Sequence, residues 1–160
     1  MYKKLIFTFL IVILTVCVFS QEYNKDTLKY KINESAFHGG LGITPLYGSI
    51  TVNYEIMLVE RPNLVFKKRG FRAGTGIYQY YDDGSLNVVI NYTCLTGAEN
   101  NHFELGLGAA YMHFLTTSGR YIVPAPNIGY RFKKPEGKFV FRTGVGFPEL
   151  IYLSFGYSLN

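Results

Sequence analysis

From residue 49 to residue 58 the side chains alternate without a break. Ile50, Val52, Tyr54, Ile56 and Leu58 fall on one side of an extended chain, and Ser49, Thr51, Asn53, Glu55 and Met57 on the other. A period of two belongs to a β-strand. It returns at the end of the chain, where Ile151, Leu153, Phe155, Tyr157 and Leu159 alternate with Tyr152, Ser154, Gly156 and Ser158. One face is apolar and aromatic, the other polar or charged, which is the pattern of strands with hydrocarbon outside and a polar interior. After residue 20 no apolar run approaches the roughly 20 residues of a spanning helix. A chain that crosses a bilayer without such a helix must close into a barrel, because every backbone group needs a partner there.

Residues 1–20 read as a cleaved secretory signal: Lys3 and Lys4, then the apolar run Leu5 to Phe19, then Ser20. An uncleaved anchor is the rival reading, and the run is short for one. Cleavage before Gln21 removes Lys3 and Lys4 and lowers the formal charge from +5 to +3, which is no argument for nucleic acid. Cys17 leaves with the signal, so Cys94 has no cysteine to pair with inside the mature chain, and a Cys-rich zinc site is excluded. Residues 21–35 are polar and mixed in charge, and read as an N-terminal tail. Residues 36–160 read as the barrel.

Eight segments carry the alternation, at about 36–46, 49–59, 69–79, 85–95, 102–113, 122–133, 138–147 and 150–159. The breaks between them hold turn chemistry, including Pro45 to Gly48, Asp82-Asp83-Gly84, Gly97 to Asn101, Ser118-Gly119, Pro135 to Gly137 and Pro148-Glu149. The expected fold is all-β, an eight-stranded antiparallel up-and-down transmembrane barrel with short turns. Pro124 and Pro126 conflict with it, since a closed wall offers proline no free edge. A bulge or a late strand start is expected there.

An internal repeat supports the layout. Odd segments carry a large polar residue followed by Gly-x-Gly: His38 before Gly40-Leu41-Gly42, Arg72 before Gly74-Thr75-Gly76, Glu104 before Gly106-Leu107-Gly108, and Arg142 before Gly144-Val145-Gly146. Even segments carry a tyrosine beside a polar residue or glycine, at Tyr54, Tyr92, Tyr130 and Tyr157. The spacing is that of a hairpin repeat. It sets Tyr54, Tyr92, Tyr130 and Tyr157 as a periplasmic aromatic girdle facing lipid, with Glu55, Thr93, Arg131 and Ser158 facing the lumen at that level.

At these residues the chain resembles a family of small bacterial outer-membrane β-barrel proteins, mostly described only as hypothetical. The resemblance rests on Asn53-Tyr54-Glu55, Phe103-Glu104-Leu105-Gly106, Ile128-Gly129-Tyr130-Arg131, Phe141-Arg142-Thr143-Gly144 and the ending Leu153 to Ser158. Barrel proteins often end in Phe, and this chain ends in Leu159-Asn160. The resemblance implies a Gram-negative outer-membrane location with both chain ends in the periplasm. It says almost nothing about activity.

The sharpest candidate site is a lumenal charge network of Glu55, Arg72, Glu104, Arg131, Arg142 and His38. Adjacent strands suggest the pairs Glu55 with Arg72 and Glu104 with Arg131, with Arg142 reaching Glu104 across the lumen and His38 beside Glu55. The interior of eight strands is just wide enough for its own side chains, so a salt-bridged plug is the first reading and an ion path or narrow pore the second. His113 and Ser118 invite an acyl hydrolase or transferase. The register turns His113 outward, however, and no acid stands by to orient it. Gly106 to Tyr111 lacks the third glycine and the helix of a nucleotide loop. Asp82-Asp83 is a turn before it is a calcium site. Lys67, Lys68, Arg69, Lys133, Lys134 and Lys138 form a basic rim. A soluble lipocalin-type barrel would reverse the two faces. The expectation is therefore a non-enzymatic outer-membrane barrel with a structural or complex-accessory role. It binds no cofactor, metal or nucleic acid. Its partners are outer-membrane lipid and, at most, a larger outer-membrane complex.

Overall fold

The computed structural model describes residues 32–58, 65–80, 83–98 and 100–159. The signal segment 1–20 and residues 21–31 of the tail lie outside them. The described chain is all-β: β1 (Ile32–Ile43), β2 (Tyr47–Leu58), β3 (Lys68–Tyr80), β4 (Gly84–Ala98), β5 (Asn101–Phe114), β6 (Arg120–Pro124), β7 (Asn127–Lys133), β8 (Phe139–Gly146) and β9 (Leu150–Ser158). Every pairing is antiparallel, and β1 pairs with both β2 and β9. The sheet therefore closes into an eight-strand barrel, with β6 and β7 as two halves of its sixth strand.

The stagger of the ladder can be read off the pairs. Stepping from Glu34 leads through Met57, Gly70, Thr93, Gly106, Asn127 and Gly146 to Leu150. Leu150 precedes Ile151, the partner of Ile43, so the circuit returns to β1 at Thr44, ten residues beyond its start at Glu34. Closing eight strands with that shear tilts them by roughly 40° to the barrel axis.

The alternation sorts the faces as the sequence predicts. In β2, Ile50, Val52 and Tyr54 are exposed, while Ser49, Thr51, Asn53 and Glu55 are buried in the lumen. In β9, Ile151, Leu153, Phe155 and Tyr157 are exposed, while Tyr152, Ser154 and Ser158 are buried. Between Arg69 at one end and Gln79, His113 and Arg120 at the other, every outward side chain of the described strand residues is uncharged. From Arg69 to Gln79 along β3, at about 3.3 Å per residue and this tilt, the uncharged band is roughly 25 Å tall. Two outward threonine hydroxyls within it are satisfied by the wall itself. Thr75 Oγ1 donates to the Asn87 carbonyl at 2.9 Å, and Thr143 Oγ1 to the Tyr152 carbonyl at 3.1 Å.

Two expectations need correction. First, β1 begins at Ile32 rather than 36, so Ile32 to Ser35 belong to the wall and not to the tail. Polarity misled the reading: Glu34 is polar because it faces the lumen, where Lys133 Nζ lies 2.5 Å from its carboxylate. Second, the prolines produce neither a bulge nor a late start. The sixth strand starts at Arg120, breaks at Ala125-Pro126 and resumes in the same register against β5, with Pro124 opposite Ala109 and Asn127 opposite Gly106. Ala125 N–H donates to the Gly108 carbonyl, so odd residues here point their backbone at β5. Even residues, including both prolines, point theirs the other way. On that side β7 meets β8, but β6 pairs with β5 alone. The N–H that Pro124 lacks would thus face an edge of β6 that pairs with no strand, which is where proline is tolerated in a sheet, while Pro126 still takes part on that side through its carbonyl, which accepts the Phe147 N–H at 2.9 Å.

The connections at the end away from the termini are brief: turns at 44–46, 115–119 and 147–149, and three residues between the end of β3 at Tyr80 and the start of β4 at Gly84. Asp83, just before β4, clasps the 115–119 turn. Asp83 Oδ1 accepts from the Thr116 N–H at 2.9 Å and Oδ2 from the Thr117 hydroxyl at 3.4 Å. The Thr116 N–H in particular holds the Asp83 carboxyl below its ordinary value.

Candidate functional site: a charged plug under a ring of glycines

The four polar residues that open the odd-strand repeat all point inward. His38, Arg72, Glu104 and Arg142 are at most 6% exposed, as are Glu55 and Arg131 from the even strands. Unpaired buried ions cost several kcal/mol each, and these are paired. Glu104 is the hub. Its carboxylate takes Arg72 Nη1 at 3.0 Å, Arg131 Nε at 3.1 Å, Arg142 Nε at 2.9 Å and the Asn127 amide at 3.0 Å, with Arg142 Nη2 closing a second contact. Arg131 bridges the two acids, and its two terminal nitrogens donate to the two Glu55 oxygens at 2.6 Å each. His38 Nε2 lies 3.7 Å from Glu55 Oε1.

The expected pair Glu55 with Arg72 is not formed. The two residues are directly opposite in the ladder, but Arg72 extends across the lumen to Glu104 and Asn127, and Glu55 is held by Arg131 instead. Adjacency on the wall decides less than expected, because a long side chain in a narrow lumen reaches the far wall as easily as its neighbour. The expected contacts of Glu104 with Arg131 and Arg142 are both present.

Above the plug lies a layer that the sequence analysis did not single out. Asn53 is in register with Gly74, Asn91 with Gly108, and Asn127 with both Gly106 and Gly146. On the fourth even strand, Tyr152 sits between Gly144 and Gly42. The glycines of the Gly-x-Gly repeat are there because a Cβ would collide. At Gly74, Gly106 and Gly108 it would meet the carbonyl oxygen of the facing asparagine, and at Gly144 the Tyr152 hydroxyl. Asparagine amides then reach sideways: Asn91 Nδ2 donates to Asn127 Oδ1 at 3.3 Å, and Arg72 Nη2 to the same oxygen at 3.1 Å. The signal was present in the even strands, where an asparagine stands two residues before the lumenal Glu55 and Thr93 and four before Arg131.

Glu149, in the last turn, lies near Thr51 and Arg72. Burial pushes its carboxyl above the ordinary 4.5, and those two neighbours only partly oppose it. A carboxyl raised on folding ionises more easily in the unfolded chain. Its contribution to stability is therefore fully present below about pH 4.5 and is lost as pH rises towards the folded value. Glu149→Gln is expected to raise stability at pH 7 and to flatten the profile between pH 4 and 7. Denaturant titrations across that range check it, and an unchanged slope would count against the assignment.

On the outside, level with the plug, the expected tyrosines alternate with phenylalanines. Phe37 is in register with Tyr54 and Tyr157, Phe71 with Tyr92, and Phe103 with Tyr130. The rings of Phe37 and Tyr54 are 6.3 Å apart and those of Phe71 and Tyr92 5.2 Å. Tyr54, Tyr130 and Tyr157 are exposed and Tyr92 partly so. The phenylalanine half of the girdle was missed because the repeat was aligned on polar residues.

The remaining candidates do not assemble. His113 faces outward at the end of β5, in register with Arg120, and Ser118 lies exposed in the following turn. Among the described residues no hydrogen bond joins them, and the nearby acid Asp83 is engaged with Thr116 and Thr117. His102 is buried, its Nδ1 3.2 Å from the Thr96 carbonyl. Among the described residues no group of three His, Cys, Asp or Glu is placed to hold a metal ion.

No protein-family model matches the chain, and no curated protein matches it.

Proposed function

We propose that the chain is a non-enzymatic barrel of the Gram-negative outer membrane, acting as a structural or complex-accessory element and not as a pore or an enzyme. The observation that carries this reading is the pairing of an uncharged outward band roughly 25 Å tall, the height expected of a lipid-facing barrel wall, with an interior whose charges are consumed by one another. Glu104 and Glu55 neutralise most of Arg72, Arg131 and Arg142 across the full width of the lumen. Conduction would require those bridges to part, against several kcal/mol of exposed or unpaired charge. The short far-side turns leave little loop on which a receptor or catalytic site is usually carried, so the wall, the tail and the rim remain as working surfaces. Membranes from an expressing cell should retain the protein through carbonate extraction, and the purified barrel should show no steady single-channel current in a planar bilayer. Recovery in the soluble periplasm would overturn the membrane reading, and a steady conductance would overturn the closed lumen.

A further inference from the structure

We propose that the end of the barrel carrying both chain termini binds the headgroups of anionic phospholipids on lysines set against the aromatic girdle. The inference rests on the membrane reading above and assigns the lipid class that this rim selects. The two ends differ in charge. Among the described residues at the terminus end, Lys67, Lys68, Arg69, Lys133, Lys134 and Lys138 outnumber Glu34 and Glu136. Among those at the other end, Asp83 and Glu149 outnumber Arg120.

The β7–β8 turn shows how the charge meets the wall. Gly137 N–H donates to the Lys134 carbonyl at 3.0 Å and Ser158 N–H to the Lys138 carbonyl at 2.7 Å, which fixes both lysines at the lip of the barrel. Lys138 Nζ lies 5.6 Å from the centre of the Tyr157 ring. Directly below it on the outward face are Phe139, in register with Tyr157, and Phe155, whose ring is 6.3 Å from that of Phe139. All three rings are about half exposed, at 53%, 53% and 49% for Phe139, Tyr157 and Phe155. A phosphodiester at the height of Lys134 and Lys138 would place its acyl chains along these rings, an arrangement in which aromatic anchoring and headgroup attraction act on the same molecule. Lys133 is already committed to Glu34. Glu136 lies in the same turn and offsets one of the two remaining charges. The net attraction is therefore for a lipid with full negative charge and not for a zwitterion.

The test uses the refolded full-length mature protein in phosphatidylcholine vesicles, with and without one fifth phosphatidylglycerol, and native mass spectrometry of the lipids that remain bound. Phosphatidylglycerol should be retained well above its share of the bilayer. Each lysine near the surface is worth about fivefold, so Lys134→Gln with Lys138→Gln should abolish the enrichment, while the double arginine variant keeps it. A wild-type protein that floats with both vesicles but shows no enrichment overturns this proposal and leaves the membrane reading standing. Enrichment unchanged in the double glutamine variant also overturns it. Failure to float with either vesicle overturns the membrane reading itself.

Discussion

Glu104→Ala is expected to destabilise the barrel by about 3–5 kcal/mol, the cost of leaving buried charge without its partner. The loss should exceed that of any other single change in the plug. Arg72, Arg131 and Arg142 all converge on this one carboxylate, and Asn127 adds its amide. Glu55→Ala is a useful contrast, because Arg131 would lose its two bonds to Glu55 but keep its contact with Glu104, and His38 would lose its charged neighbour. Urea titration of the refolded variants, read as midpoint and slope, gives both values. Equal losses at the two positions would mean that the network is not centred on Glu104. Glu104→Gln preserves shape and hydrogen-bonding reach while removing the charge. It should fall between wild type and alanine, which separates the electrostatic part from the packing part.

The second large effect is steric. Gly108→Ala places a Cβ against the Ile90 carbonyl and the Asn91 side chain, and backbone cannot step aside as a flexible side chain can. Overpacking of this kind typically costs 1–3 kcal/mol. Gly108 is held on both sides, by Asn91 in the ladder and by the Ala125 N–H on its carbonyl, so the strain has no free edge beside it and a loss of about 3 kcal/mol is expected. Gly39 is the control: it sits on β1, another odd strand, on the outward face, where a Cβ meets nothing within 4 Å. Gly39→Ala should therefore be neutral or slightly stabilising, since it removes freedom from the unfolded chain without strain in the folded one. If both alanines behaved alike, the glycines would be serving backbone flexibility and not the close fit of the asparagine layer.

Much of this architecture was legible in the sequence for a simple reason. A two-residue period assigns a face to every residue, and burial in β2 and β9 follows that assignment position by position. Strand number and order followed from the turn residues. What failed were inferences that needed distance across the lumen or along an edge. Glu55 and Arg72 are neighbours in the ladder, but pairing in a lumen this narrow is set by what stands opposite, and sequence adjacency carries no information about that. Pro124 and Pro126 looked like a defect because a barrel is taken to be closed along its whole height. The short β8–β9 hairpin leaves β6 without a partner on one side, and hairpin length relative to a tilted neighbour is hard to read without the shear. The asparagine layer was missed although its residues lay inside the repeat. Asparagine two positions from a charged residue looks like ordinary polarity until the facing glycine is known.

The chain contains no tryptophan, so a single introduced indole reports on one place only. Ile90 lies mid-wall on β4, faces outward and is 60% exposed. In vesicles of lipids brominated deep in the acyl chains, the fluorescence of Ile90→Trp should be strongly quenched, while aqueous iodide leaves it almost untouched. Quenching by iodide with no effect of the brominated lipids would place this face in water, and the outward band would not be a membrane-facing wall.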